Sequence, residues 1–125
     1  MPDAAVASKR VLFVSRDPRV LDEATHSFGD DVDVIVAPDA RKAEELLRQS
    51  VPDAVVVDMT TGKEGGYALA RTMSQFDALR DVPIIILLER DQDRWLASMA
   101  GARLARTKPI DPGHLAADVR TLLAS

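Results

Sequence analysis

Residues 52–58 read Pro-Asp-Ala-Val-Val-Val-Asp, and the reading of this run decides the fold. Ala54 to Val57 is too short for a helix and rich in β-branched residues, which marks a buried central strand. Asp58 follows at its carboxyl end, where an ionised side chain is costly unless it faces an open crevice or holds a partner. Asp58 is therefore the candidate site residue.

On the amino-terminal side, Val11 to Val14 reads as a second buried strand. Pro18 to Phe28 follows as a helix, with Val20, Leu21, Ala24 and Phe28 at helical spacing. Asp17 is placed to cap that helix and Pro18 suits its first turn, while Gly29 marks its end. Val32 to Ala37 is a strand whose Asp33 predicts an edge position or one solvated face. Asp39 to Gln49 is a helix with Ala40, Ala43, Leu46 and Leu47 facing inward. On the carboxyl side, Met59 to Gly66 reads as a loop and Tyr67 to Phe76 as a helix. Pro83 to Leu88 is the most apolar strand, as expected of a parallel sheet covered on both faces. Asp91 to Ala100 is a helix ended by Gly101, with Leu96, Met99 and Ala100 as its core face and Trp95 at the edge of that face. Ala102 to Thr107 is a weaker strand, and Pro112 to Leu123 the last helix. The pattern is (βα)5, an α/β fold with a doubly wound parallel five-stranded sheet. Residues 1–9 read as a loose tail and residues 10–125 as one domain.

Composition narrows the function. The chain has 125 residues, 46% hydrophobic and 29% charged, with a net charge of −4, so one ordinary globular domain is expected. A weakly acidic chain argues against electrostatic binding of nucleic acid or membrane. With no cysteine, disulfides, thiol catalysis and thiolate metal sites are excluded. No apolar stretch reaches membrane-span length, and the start lacks the charge and apolar core of a secretion signal, so a cytoplasmic location is expected. His26 and His114 fall on solvated helix faces without metal-ligand company. Thr60 to Gly66 does not fit a phosphate-loop pattern and reads as a flexible loop.

In folds of this kind, ligands collect outside the carboxyl ends of the strands. The strands would bring Ser15-Arg16-Asp17, Asp58, Leu88-Glu89 and Thr107-Lys108 to one crevice. Here the chain resembles the receiver domain of bacterial two-component response regulators over residues 10–123. The resemblance rests on Val11-Leu12-Phe13-Val14 with Asp17-Pro18, on Pro52-Asp53 leading to Val55-Val56-Val57-Asp58, and on Gly66. Val82-Pro83-Ile84-Ile85-Ile86, Gly101-Ala102 and Thr107-Lys108-Pro109 complete it. It implies a flavodoxin-like (CheY-like) fold with strand order 2-1-3-4-5. It also implies a phosphoacceptor aspartate, an acidic pair for Mg²⁺, a hydroxyl residue, a switch aromatic and a lysine whose bond to proline is usually cis.

Asp58 matches the phosphoacceptor and Lys108 the lysine. The acidic pair instead falls on Ser15 and Arg16, with Asp17 one position later. The hydroxyl residue becomes Leu88 and the aromatic Ala105. Mg²⁺ wants near-octahedral oxygen coordination and phosphoryl transfer needs its charge, whereas Arg16 is a fixed cation able to pair with Asp58 instead. The expectation is a stand-alone atypical (pseudo-)receiver, a non-enzymatic signalling or regulatory protein-interaction module. No cofactor is expected; Mg²⁺ would enter only a phosphorylation-competent site, held by Asp17 and Asp58. The alternative is a phosphorylatable single-domain response regulator taking a phosphoryl group on Asp58 from a histidine kinase. A flavodoxin-like redox protein lacks its phosphate loop and flavin-covering aromatics here. The expected partner is a protein, a histidine kinase or a regulated complex, and the chain itself a monomer or weak homodimer. Trp95, Arg94, Arg103 and Arg106 are the candidate partner surface, since Trp and Arg dominate such contacts.

Overall fold

The structure, a computed structural model, describes residues 9–59, 63–111 and 113–124. Five strands and five helices alternate: β1 (Lys9–Val14), α1 (Pro18–His26), β2 (Val32–Ala37), α2 (Ala40–Gln49), β3 (Ala54–Asp58), α3 (Lys63–Gln75), β4 (Ile84–Leu88), α4 (Arg94–Met99), β5 (Leu104–Thr107) and α5 (His114–Ala124). The strands are all parallel in the order β2-β1-β3-β4-β5, as the resemblance implies. No described helix is long and apolar enough to cross a membrane.

Strand alternation sorts the core into two layers. Val11, Phe13, Ala54, Val56, Ile85 and Leu87 face Val20 and Ala24 of α1 and Leu115, Val119 and Leu122 of α5. Leu12, Val14, Val55, Val57, Ile84, Ile86 and Leu88 face α2, α3 and Ala97 of α4. β3 and β4 are buried along their whole length, because both neighbours and both covering layers surround them. β2 is an edge strand whose exposed Asp33 pairs with Arg10 at 3.4 Å, which is the edge position that this carboxylate predicted.

Several boundaries differ from the sequence expectation. β1 begins at Lys9, whose amide donates to the Asp31 carbonyl, so the expected tail loses its last residue to the sheet; residues 1–8 lie outside the described ones. α1 ends at His26 rather than running to Phe28. α3 begins at Lys63, inside the expected loop; residues 60–62 of that loop lie outside the described ones. Gly65 and Gly66 look like loop residues in sequence but belong to this helix. A Cβ on Gly66 would overlap the Met59 sulfur and come within 3.1 Å of a Val57 methyl, so glycine serves close helix–strand approach here. The expected helix 91–100 is a 3₁₀ turn at Asp91–Asp93 followed by a six-residue α4. β5 starts at Leu104 rather than Ala102, and α5 at His114, with Pro112 outside the described residues. Gly101 adopts φ +94° after α4, the left-handed ending expected of it.

Candidate functional site

The β1–β3 register aligns Val14 with Val57, so the next residues, Ser15 and Asp58, stand side by side on the face toward α1 and α5. Both are 1% exposed. The Ser15 hydroxyl donates to Asp58 Oδ2 at 2.6 Å and accepts from the Asp17 amide at 3.0 Å. Lys108 enters from the end of β5. Its amide donates to the Leu88 carbonyl at 2.8 Å, and the Lys108-Pro109 bond is cis, as the resemblance implies. The ammonium donates to Asp58 Oδ2 at 2.7 Å and to Asp17 Oδ2 at 2.6 Å. The Asp58 side chain is wholly buried, and those of Lys108 and Asp17 are 17% and 26% exposed.

Asp17 carries two loads. Its Oδ1 caps α1 by accepting from the Arg19 amide at 2.9 Å, as expected, while Oδ2 takes the ammonium. The hydrogen bond from Lys108 is the main cause holding the Asp17 carboxyl below its ordinary value; desolvation opposes it, and the Arg19 amide adds to it.

Arg16 is directed elsewhere. It follows the aligned pair and is exposed, donating from Nε to the Pro38 carbonyl at 3.0 Å and lying 3.4 Å from Asp39 Oδ2. The expected pairing of Arg16 with Asp58 is thus replaced: Ser15 holds the register position beside the carboxylate, and Arg16 crosses to the end of β2. Leu88 is 1% exposed and packs in the α2–α4 layer, contributing only its carbonyl to the site. Ala105 is half-buried, and its carbonyl accepts from Arg94 Nη1 at 2.7 Å.

The donor chemistry bears on metal binding. Two carboxylate oxygens converge on one point, and the Lys108 nitrogen stands there at hydrogen-bonding distance from both. The neighbouring positions supply a hydroxyl already committed to Asp58 and a guanidinium. Among the described residues no group of three or more acidic, His or Cys side chains is arranged to hold a metal ion. This set holds an ammonium at the point where Mg²⁺, which is bound by one or two carboxylates together with waters, would have to enter. A cleft of about 400 Å³ opens beside it, lined among others by Asp17, Glu23, Glu89, Lys108, Ile110 and Leu115.

The candidate partner residues separate into two kinds. Trp95 is 61% exposed and Met99 76%. The face of α4 that turns inward carries Asp93, Leu96, Ala97 and Ala100, correcting the expected core role of Met99. A buried Asp93, paired with Arg90 at 3.3 Å, occupies a position that an apolar count overlooks. Arg103 is exposed. Arg106 gives Nε and Nη2 to Asp118 on α5 at 2.7 and 2.9 Å, a fork-shaped pairing that raises the guanidinium pKa. Arg94 binds the Ala105 carbonyl and lies 3.4 Å from both Asp91 and the Thr107 hydroxyl. Thr107 in turn donates to Asp91, the main cause lowering the pKa of that exposed carboxyl. Two working carboxylates escaped the sequence reading. Asp91 anchors β5 to the turn before α4, and Glu23 of α1 accepts from the Ala116 amide in the first turn of α5 at 2.8 Å. Neither stands in a sequence pattern that separates it from an ordinary surface acid.

A family model described as the response regulator receiver domain matches residues 11–120. The chain is 29% identical over 117 residues to the DNA-binding dual master transcriptional regulator RpaA of Synechocystis sp., covering 91% of this chain and 48% of that protein. It is 30% identical over 115 residues to the heme response regulator HssR of Staphylococcus aureus, covering 90% of this chain and 50% of that protein. The chain therefore spans about half the length of these two relatives. The BeF3-activated N-terminal receiver domain of Klebsiella pneumoniae RstA superposes with a TM-score of 0.77 at 30% identity, covering 94% of this chain and all of that one.

Proposed function

The chain belongs to the response regulator receiver domain family, and we propose that it serves two-component signalling as a pseudo-receiver, a protein-interaction module rather than a phosphorylation switch. The observation that carries this reading is the single ammonium of Lys108 between Asp17 and Asp58, at 2.6 and 2.7 Å. In phosphoryl transfer a divalent ion and its ligands neutralise charge as the phosphoryl group moves. Here one lysine offsets half the charge of the two resting carboxylates, Ser15 occupies the same Asp58 oxygen, and Leu88 offers no side-chain donor for a phosphoryl oxygen. One Asp58 oxygen, Oδ2, thus already accepts two hydrogen bonds, which lowers its nucleophilicity. Signalling output then comes from surfaces fixed by the fold, read by a protein partner such as a histidine kinase or a regulated complex.

Incubation with acetyl phosphate and Mg²⁺, followed by intact-mass measurement, tests this. The expected result is no phosphoryl adduct. A stoichiometric adduct that disappears in Asp58→Asn overturns it. One observation favours the second reading, a phosphorylatable receiver: Asp58 keeps its lysine within hydrogen-bond distance, and that lysine could follow a transferred phosphoryl group. In that case Mg²⁺ would have to displace Lys108 from Asp17, and phosphorylation would rise steeply with Mg²⁺ concentration.

A further inference from the structure

The arginines around α4 separate its two sides. Toward β5 and α5, Arg106 is engaged by Asp118 through two hydrogen bonds, and Arg94 by the Ala105 carbonyl. A partner carboxylate arriving at either of these would have to displace bonds already made, whereas Arg103, just before β5, is simply exposed. The side toward α3 differs. Tyr67, Arg71 and Ser74 of α3, with Leu96, Met99 and Ala100 of α4, line an open groove of about 310 Å³. Arg71 is exposed, and among the described residues its guanidinium makes no ion pair or side-chain hydrogen bond. Met99 stands on the groove's lip, and Trp95, four residues earlier, shares its side of the helix. Two large apolar side chains exposed together beside an uncommitted cation are the features of a docking surface.

Extending the interaction-module reading, on which this rests, we propose that the α3–α4 groove docks an acidic amphipathic segment of a protein partner. Its apolar side chains pack on Met99 and Trp95, and a carboxylate pairs with Arg71. Charge complementarity selects this occupant. Arg71 is the charged side chain lining the groove, and a carboxylate complements it there, while the chain's net charge of −4 opposes long-range attraction of an acidic segment. An amphipathic helix laid in a groove supplies the matching apolar spacing.

Trp95 is the only tryptophan, so its emission reports on this face alone. The probe is a short, end-blocked helical peptide with leucines at helical spacing and glutamates on its other face, compared with a twin carrying lysine for glutamate. Titrated into the full chain, the glutamate peptide is expected to shift Trp95 emission to the blue and shield it from acrylamide. The effect should weaken as salt rises. Arg71→Glu should lower affinity by about tenfold or more, and Met99→Ser should lower it without changing the salt dependence. No response, equal binding of the lysine twin, or unchanged affinity in Arg71→Glu overturns the proposal. So does self-association of the chain that Arg71→Glu abolishes, which would make a second copy the occupant. Failure of the peptide with no phosphoryl adduct on Asp58 rejects the groove alone; an adduct on Asp58 rejects the pseudo-receiver reading whatever the peptide does.

Discussion

Replacing Lys108 with methionine tests how much of this fold depends on its crevice. Methionine keeps most of the side chain's length and apolar stem while removing the ammonium. Asp58 would stay wholly buried with Ser15 donating to it, and Asp17 would lose the hydrogen bond that chiefly lowers its pKa. Removing one partner of a buried ion pair costs about 3–5 kcal/mol, because the other charge is left in low dielectric. The 17% exposure of Lys108 and 26% exposure of Asp17 let water relieve part of this, so the lower end, about 3 kcal/mol, is expected. For a domain of this size that is a fall in melting temperature of roughly 12 °C. Asp17 also sets the pH dependence. Its folded pKa is depressed below the ordinary 3.8, so its contribution is present above that value and lost as pH falls through the folded one. The gap between native chain and Lys108→Met should therefore be widest near neutrality and narrow below about pH 4. Urea unfolding followed by circular dichroism at both pH values measures it. Adding Asp58→Asn should recover at least half the loss, since the new amide oxygen can still accept from Ser15 while carrying no charge. A deficit below about 1 kcal/mol at neutral pH, or no recovery in the double variant, would show that the ammonium is not what holds the crevice together.

Installing Ser15→Asp with Arg16→Asp restores the acidic pair, and the variant should bind Mg²⁺ saturably in isothermal titration calorimetry where the native chain does not; equal responses would contradict the donor-set argument. Gly66→Ala forces a methyl against Met59 and Val57, and the crowding should cost about 1–3 kcal/mol in urea unfolding. Arg106→Ala leaves Asp118, 11% exposed on its side chain, without its fork, and a loss of about 1–3 kcal/mol is expected. Asp118→Asn with Arg106→Gln should cost less than the single change if the pairing itself is responsible.

The fold was legible because its signals are local and repeated. Short β-branched runs alternate with helical spacing, and Asp17, Pro18 and Gly101 mark helix ends by backbone geometry that few residues satisfy. Asp33 even announced the edge strand. The errors came where tertiary contact overrides local pattern. Gly65 and Gly66 read as loop because glycine weakens a helix, yet Gly66 is there to let α3 approach Met59. Met99 read as core because it is apolar, yet the inward face runs through Asp93, a charged residue whose pairing with Arg90 makes it tolerable there. The site was half legible. Asp58 and Lys108 follow from strand ends, and the cis bond after Lys108 is as the resemblance implies. Arg16 was assigned to the wrong carboxylate because its destination, Asp39 and the Pro38 carbonyl, depends on β2 lying beside β1, which no local pattern states.

The end of β5 unites these observations. Three consecutive residues are each tied to a different part of the molecule: Arg106 to Asp118 on α5, Thr107 to Asp91 before α4, and Lys108 to Asp17 and Asp58. Arg94 adds a fourth tie at the carbonyl of Ala105, the position where the family resemblance implies a switch aromatic. A switch needs two arrangements of similar free energy separated by a ligand's differential affinity. Here the route from Asp58 to α4 along β5 runs through Lys108 and Thr107, and moving those residues breaks several charge-assisted bonds together. Two arrangements of nearly equal free energy are hard to achieve under such a load. On the proposed reading, the ties that oppose a switch at the crevice also hold α4 in place, and a surface held in place binds with little loss of side-chain and backbone freedom. The expected hallmark is a surface around Trp95 whose binding strength is the same whether Asp58 is present or replaced by asparagine.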